Sequence, residues 1–387
     1  MVKICMLVAN EMVNDSRVLK EARSLVSRGC EVDIFAMHNE GLLKDEVIDG
    51  FQVHRIVIKS RIFKTKLFLP VKFLEYFLRT LVGVLKLKVD VIHCHDISPM
   101  LIAWLASRIK YCKLIYDSHE LEYDRNISKI LRLLNRWYER LFINSVDQII
   151  VSDGAYRAKV MKEKNCCKLP MTYVMNCPPK VEVPANERKR LREILNIKAD
   201  RKLMLYIGNV YYGRGFKAMI EALSFLDNVD LVVMGKPGID IGVDLIKWQS
   251  QFGVDGRVQY IGPFHYSEDI LLASGADVGI SLIENTCQSY YLSTPTKLFD
   301  SIAAGIPIIV SDFPAMKQIV MDNDKGVIGA VVDPLNAQQI AGAIKKILNL
   351  DNSEREDIRA REFSLHQHEY NWFVQEQKLF EVYDLVS

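Results

Sequence analysis

The chain has 387 residues, 49% of them apolar, which is more than one hydrophobic core usually organises and enough to build two, so two domains are expected. A net charge of +2 excludes a general nucleic-acid binder, which needs a concentrated basic surface. The eight cysteines form no Cys-x-x-Cys pair and Cys166 and Cys167 are adjacent, which argues against a disulfide framework or a zinc site and for reduced thiols in a cytoplasmic chain. Neither a secretory leader nor a run of about eighteen apolar residues is legible, so no export or membrane span is expected.

In chain order, residues 4–9 read as a short buried strand, followed by a polar loop and a helix with Val18, Leu19, Ala22, Leu25 and Val26 on one face. Gly29 ends that helix, and 32–36 returns as a strand. A βαβ unit this early predicts a doubly wound sheet whose ligand crevice lies at the carboxyl ends of its strands. Arg17, just inside the first helix, stands near that crevice as a substrate contact or as a local ion-pair partner.

Between Lys59 and Lys88 there are eight Lys/Arg and a single acid, Glu75, interleaved with Phe63, Phe68, Phe73 and Phe77. Pro70 opens a helix in which Leu74, Phe77, Leu78, Leu81 and Leu85 share one side. The expectation is that this stripe packs inward, while Lys59, Arg61, Lys64 and Lys66 approach an anionic membrane or a lipid-phosphate acceptor.

Strands at 89–93 and 114–116 end in His95-Asp96 and Asp117-Ser118-His119-Glu120. Two strand ends that bring imidazole and carboxylate groups to one crevice mark a candidate site at His95, His119 and Glu120. A further strand is expected at 149–152. The charged, proline-bearing stretch 178–200 reads as an interdomain linker.

The opening pattern then recurs: a strand at 203–207, a glycine-bearing loop from Gly208 to Gly215, a helix at 216–226, and a strand at 231–234 ending in Gly235. In the loop GNVYYGRGFK, Arg214 sits between two glycines immediately before a helix, a setting that lets backbone and cation approach a phosphate. Strands at 258–262 and 278–282 follow, the first running into Pro263-Phe264-His265 and the second into the loop carrying Glu284, Tyr290 and Tyr291. In STPTKLFDSIAAGIPIIVSD, Thr294 can cap a helix, Pro295 suits its first position, Gly305 stops it and 308–310 is a buried strand. Lys297 in the first turn opposes the helix dipole, a conflict that an anion removes. Asp300 lies one turn deeper, where a carboxylate can accept two hydrogen bonds from a vicinal diol such as a ribose. From spacing alone, Lys297 and Asp300 suit a surface ion pair equally well.

This donor-type helix resembles that of family-four retaining glycosyltransferases of the GT-B fold, in the subgroup whose helix opens Pro-Asn/Thr-Lys and continues Phe-Glu/Asp. The stretches NDSRVLKEARSLVSRGCEV, YDSHE and YNWFVQEQKLFEVY resemble the same family, so the likeness spans nearly the whole chain. It implies an α/β fold of two facing Rossmann-like domains with an interdomain cleft. The expected acceptor domain is 1–180 plus a crossover helix over 370–387, and the expected donor domain is 200–365.

For the site, the resemblance implies that His119 reaches the donor sugar, that Arg214 and Lys297 neutralise the diphosphate, and that Asp300 holds the ribose. It further implies nucleotide contacts from Gly208, Asn209, Gly235, Pro263, Phe264 and Thr296, and substrate contacts from Arg17, His95, Glu120 and Glu284. Two departures stand out. Leu292 occupies the place of the family's first glutamate, for which Glu284 is the nearby substitute, and Asn209 occupies that of an arginine.

The expected activity is retaining transfer of a hexose-type sugar from a nucleotide-diphosphate donor to a glycan or lipid-linked acceptor in surface polysaccharide synthesis. No cofactor or metal is expected, since no Asp-x-Asp pair accompanies the diphosphate loop. The chain is expected to be cytoplasmic and peripheral on the inner membrane face. A nucleotide-sugar epimerase of the same fold and a non-catalytic nucleotide-sugar-binding subunit are the alternatives.

Overall fold

The computed structural model describes residues 1–13, 15–236, 238, 240–262 and 266–386. The chain divides into two compact units, Met1–Met175 with Glu376–Ser387, and Asn176–Gln375.

The first unit runs β1 (Lys3–Leu7), α1 (Ser16–Ser27), β2 (Glu31–Met37), β3 (Asp45–Ile48), β4 (Phe51–Ile56), α2 (Leu69–Lys86), β5 (Val91–His95), α3 (Met100–Lys110), β6 (Lys113–Ser118), α4 (Lys129–Phe142), β7 (Gln148–Val151), α5 (Ala155–Asn165) and β8 (Thr172–Tyr173). Its sheet has the order β3-β4-β2-β1-β5-β6-β7-β8, parallel except for the β3–β4 hairpin, a pairing that the sequence reading lacks. Steps β4-α2-β5, β5-α3-β6 and β6-α4-β7 all move the same way across the sheet. Right-handed crossovers therefore place α2, α3 and α4 in one layer. Direct contacts agree: α2 packs on α3, and the Leu101 N–H on α3 donates to the Tyr138 hydroxyl on α4 at 2.9 Å.

Helix α2 corrects the expectation for its apolar stripe. The buried residues are Tyr76, Thr80 and Val84, while Leu74 and Leu78 face outward. Close approach of helix to sheet is the reason. A Cβ on Gly83 would lie 2.5 Å from the Phe35 ring, and the Tyr76 hydroxyl donates to the Val8 carbonyl at 3.2 Å. Ahead of it, Lys59 and Ser60 lend backbone N–H groups to the Glu75 carboxylate, and Arg61 donates to the His38 carbonyl.

The second unit contains α6 (Glu187–Ile194), β9 (Lys202–Ile207), α7 (Phe216–Leu223), β10 (Val229–Met234), α8 (Gly242–Gln251), β11 (Val258–Ile261), α9 (Tyr266–Ala273), β12 (Val278–Ser281), α10 (Gln288–Tyr291), α11 (Thr296–Ala304), β13 (Ile308–Ser311), α12 (Pro314–Val320), β14 (Gly329–Val332), α13 (Ala337–Leu348) and α14 (Asn352–His368). The final helix, α15 (Trp372–Asp384), begins in this unit and ends in the first. The sheet is fully parallel, in the order β11-β10-β9-β12-β13-β14. The 178–200 stretch is more than a linker: Leu191 of α6 is fully buried with Leu203, Leu205 and Ile270 in the core of this unit. Helix α11 starts one residue later than expected, with Pro295 as its cap in an extended backbone conformation, ψ 141°. Lys297 stays in the first turn.

Candidate functional site

In the first unit, β5 and β6 pair in register, His95 beside Asp117, and end together. Beyond their ends lies a knot of charge. Asp117 is completely buried, and the Arg17 guanidinium grips both of its oxygens at 2.9 Å while donating to the Val174 carbonyl at 2.6 Å. Arg17 also lies 3.1 Å from Glu21. All three guanidinium nitrogens are thus committed inside the unit, which corrects the substrate-contact expectation: Arg17 holds Asp117 in place. Burial opposes ionisation of Asp117, yet Arg17 and His119 hold its carboxyl well below the usual range.

His119 is the partly open member of this group. Its Nε2 lies 3.1 Å from Asp117 Oδ2 and 3.2 Å from His95 Nδ1, and its backbone N–H donates to Asp96 Oδ1 at 2.9 Å. Burial alone would lower its pKa. The carboxylates of Asp96 and Asp117 outweigh that and hold it up at about 9, so the imidazole is cationic at neutral pH. Asp96 reaches this position with φ of +59°, a left-handed conformation that aspartate tolerates better than most residues. From behind, buried Arg157 bonds the His119 carbonyl and Asp153.

His95 is buried behind His119, and desolvation lowers its pKa. His93 stacks on it at 4.2 Å and is hydrogen-bonded at Nδ1 by the Tyr383 hydroxyl of α15 at 2.8 Å. Glu120 lies at the surface, paired with Arg125 at 2.7 Å. Asp96, Asp117, Arg157, His93 and Tyr383 were not singled out from sequence. Only the polar strand ends hinted at the first two.

Among the described residues, Glu21, His93, His95 and Asp117 are the ones that could hold a metal, with ligand atoms within 4.8 Å of one another. The Arg17 cation, however, already sits against both carboxylates, where its charge opposes that of an incoming metal ion.

In the second unit, the ends of β9 and β10 are locked backbone to backbone. Gly208 N–H donates to the Met234 carbonyl at 2.7 Å, and a Cβ on Gly235 would fall 2.2 Å from the Gly208 oxygen. Both glycines have positive φ, so a side chain at either is opposed by backbone strain as well as by space. Lys297, from α11, lies over Gly208 and is partly buried. Desolvation and the nearby Arg214 cation lower its pKa, with Asp300 opposing them.

Arg214 stacks on the Tyr290 ring at 4.8 Å, immediately before α7. Glu284 accepts the Gly215 N–H at 3.2 Å, and its own N–H donates to the Gly213 carbonyl at 3.0 Å, so it braces the glycine loop. Asn209 is exposed, Thr296 half-buried and Asp300 buried on α11. Leu292, where the resemblance expects a glutamate, is buried. Tyr291 tilts against Phe313 at 5.0 Å. Pro263 and Phe264 lie outside the described residues.

Arg214 and Lys297 thus stand at the openings of α7 and α11, with Lys297 beside the glycine at the end of β9.

The family model described as Glycosyltransferase Family 4 matches residues 16–173, and that described as Glycosyl transferases group 1 matches residues 187–362. An uncharacterised glycosyltransferase of Methanocaldococcus jannaschii is 25% identical over 347 residues, 85% of this chain and 83% of that protein. A D-inositol 3-phosphate glycosyltransferase of Xylanimonas cellulosilytica is 23% identical over 361 residues, 84% of this chain and 82% of that protein. Among solved structures, sucrose-phosphate synthase of Thermosynechococcus elongatus has a TM-score of 0.81 at 16% identity, covering 99% of this chain and 98% of its own. Anabaena HepE in complex with UDP-glucose has a TM-score of 0.78 at 13% identity, covering 99% of this chain and 100% of its own. With one family match on each sheet unit and the fold shared with these enzymes, the chain belongs to the family-four glycosyltransferases of the GT-B fold.

Proposed function

We propose that this glycosyltransferase is retaining and metal-independent, and that it moves a hexose-type sugar from a nucleotide-diphosphate donor to a glycan or lipid-linked acceptor in surface polysaccharide synthesis. The observation that carries the donor reading is the placement of Arg214 and Lys297: the charge of one lowers the pKa of the other, so an anion between helix openings relieves a repulsion built into the fold. The anion with the right chemistry is a diphosphate. As the glycosidic bond breaks, charge grows on the leaving phosphate, and two fixed cations favour that state over the intact donor.

Asp300, one turn below Lys297, suits the ribose, and the resemblance assigns His119 to the donor hexose. Asp96 and Asp117 keep His119 cationic and oriented, which makes it a hydrogen-bond donor to a sugar hydroxyl rather than a base. Metal independence rests on the same two cations, which supply the charge that a divalent ion otherwise would. Retention rests on the family resemblance, with the leaving phosphate taking the acceptor's proton. Because HepE binds UDP-glucose, UDP-sugars are the first donors to test. A cytoplasmic location, peripheral at the inner membrane face, fits a lipid-linked acceptor and the basic segment that begins at Lys59.

A thermal-shift screen of UDP, GDP and their sugars tests the donor reading, because a ligand that binds only the folded chain raises its melting temperature. Failure of every nucleotide diphosphate to do so, at concentrations where nucleosides also do nothing, overturns it. One observation favours a non-catalytic nucleotide-sugar-binding subunit as the second reading: Leu292 is buried and apolar where the resemblance expects a glutamate. Donor binding without turnover over a panel of lipid-linked acceptors decides for that reading.

A further inference from the structure

Helix α4 wears its apolar residues on the outside. Ile130, Leu134, Trp137 and Leu141 recur at helical spacing along its solvent face, with Ile130 71% and Trp137 65% exposed. Its inward face is polar by comparison. Glu139 is buried there, accepting hydrogen bonds from the Tyr116 hydroxyl at 2.7 Å and the Asn165 amide at 2.6 Å. Helix α2 is inverted in the same sense, with Tyr76, Thr80 and Val84 buried and Leu74, Leu78 and Val82 about half exposed. The two helices flank α3 in one layer of the first unit, so their apolar stripes look out from the same side of the sheet.

Charge decides what covers this side. Lys129, Arg132, Arg136 and Arg140 lie along α4, and Lys72, Arg79 and Lys86 along α2. The acids on the two helices are spent: Glu139 is buried, and Glu75 is held by the Lys59 and Ser60 N–H groups and by Arg79. Arg132 is paired with Asp124 at 2.7 Å. The balance is cationic, arranged beside leucine, isoleucine and tryptophan. A second copy of the chain would bring the same cations against themselves. An anionic lipid surface matches both features at once, taking apolar side chains into the acyl boundary and lysines and arginines at the headgroups.

We propose that the outward faces of α2 and α4 form a single bilayer-docking surface selective for anionic lipid, with Trp137 and Leu134 as its apolar anchors. This deepens the membrane reading made for the segment from Lys59 and shares its premise of an anionic surface. It does not depend on which donor the second unit binds.

The test is co-sedimentation of the full chain with vesicles of equimolar phosphatidylglycerol and phosphatidylcholine, and with phosphatidylcholine alone. The expected result is binding to the anionic vesicles that weakens with salt, and a fall in partition of about tenfold or more for the double variant Leu134→Asp/Trp137→Asp. The milder Leu74→Ser/Leu78→Ser on α2 is expected to weaken binding too, which keeps the test open should the first variant misfold. Both variants should keep the wild-type response of the melting temperature to nucleotide diphosphates. Loss of that response in the wild type would sink the donor reading and leave vesicle binding untouched. The proposal is overturned if the wild type ignores anionic vesicles, if it binds neutral ones as well, if folded variants partition like wild type, or if light scattering shows a dimer that the same substitutions dissolve.

Discussion

Lys297 lies directly over the backbone of Gly208: a Cβ built on that glycine would come 2.7 Å from Lys297 Cε and 3.0 Å from Nζ. The glycine is what lets the cation rest at the end of β9. Gly208→Ala is expected to push the ammonium away and to strain a backbone with φ of +113°, at a cost of about 1–3 kcal/mol in stability. Nucleotide-diphosphate affinity, read by calorimetry, should fall about tenfold or more. Gly235→Ala should be worse for folding, because its Cβ would meet the Gly208 carbonyl oxygen, which cannot swing aside as a lysine tip can.

If the proposed donor reading holds, Lys297→Ala and Arg214→Ala each remove a charge-assisted contact to phosphate, worth about 1.5–3 kcal/mol or roughly ten- to a hundredfold in affinity. The loss should appear for UDP or GDP and be small for the matching nucleoside. Equal losses for both ligands would show that these side chains do not face the phosphates.

The sequence signal for this half of the site was strong, because its residues sit in two short stretches. Gly208 to Gly215 and Pro295 to Asp300 each carry glycine or proline punctuation, a helix opening and a cation within one or two turns. Local spacing therefore presented the chemistry. The charge knot of the first unit is the opposite case, since Arg17 meets Asp117 only across the sheet and His93 meets Tyr383 only through the final helix.

Asp117→Ala should leave the Arg17 guanidinium buried without its bidentate partner, and the expected destabilisation is about 3–5 kcal/mol by urea denaturation. Arg17→Met/Asp117→Leu, which removes both charges, should recover part of that loss. A single-variant cost near that of an exposed pair, below about 1 kcal/mol, would contradict a buried role for the pair.

His119 sets a pH dependence. Its folded-state pKa of about 9 exceeds the ordinary histidine value, so the folded state binds the proton more tightly than the unfolded chain. The stabilisation is complete below about pH 6.5 and drains away as pH rises toward 9. Melting temperature should fall across that window in the wild type and fall less steeply in His119→Gln. Identical slopes would contradict a raised pKa at this residue.

What the sequence determined by itself was the alternation of strand and helix, the doubling of a βαβ opening and the glycine-bearing loop ahead of α7, because periodicity and backbone punctuation are local properties. Which face of an amphipathic helix turns inward is not local. In α2 and α4 the leucine stripe is equally periodic whether it faces sheet or solvent, and only the packing of Gly83 on Phe35 and the Tyr116–Glu139 hydrogen bond put the polar side in. The tertiary structure alone also converted Arg17 from a crevice cation into the buried partner of Asp117, since a guanidinium at the start of a helix finds its carboxylate one hundred residues away, across the strand ends.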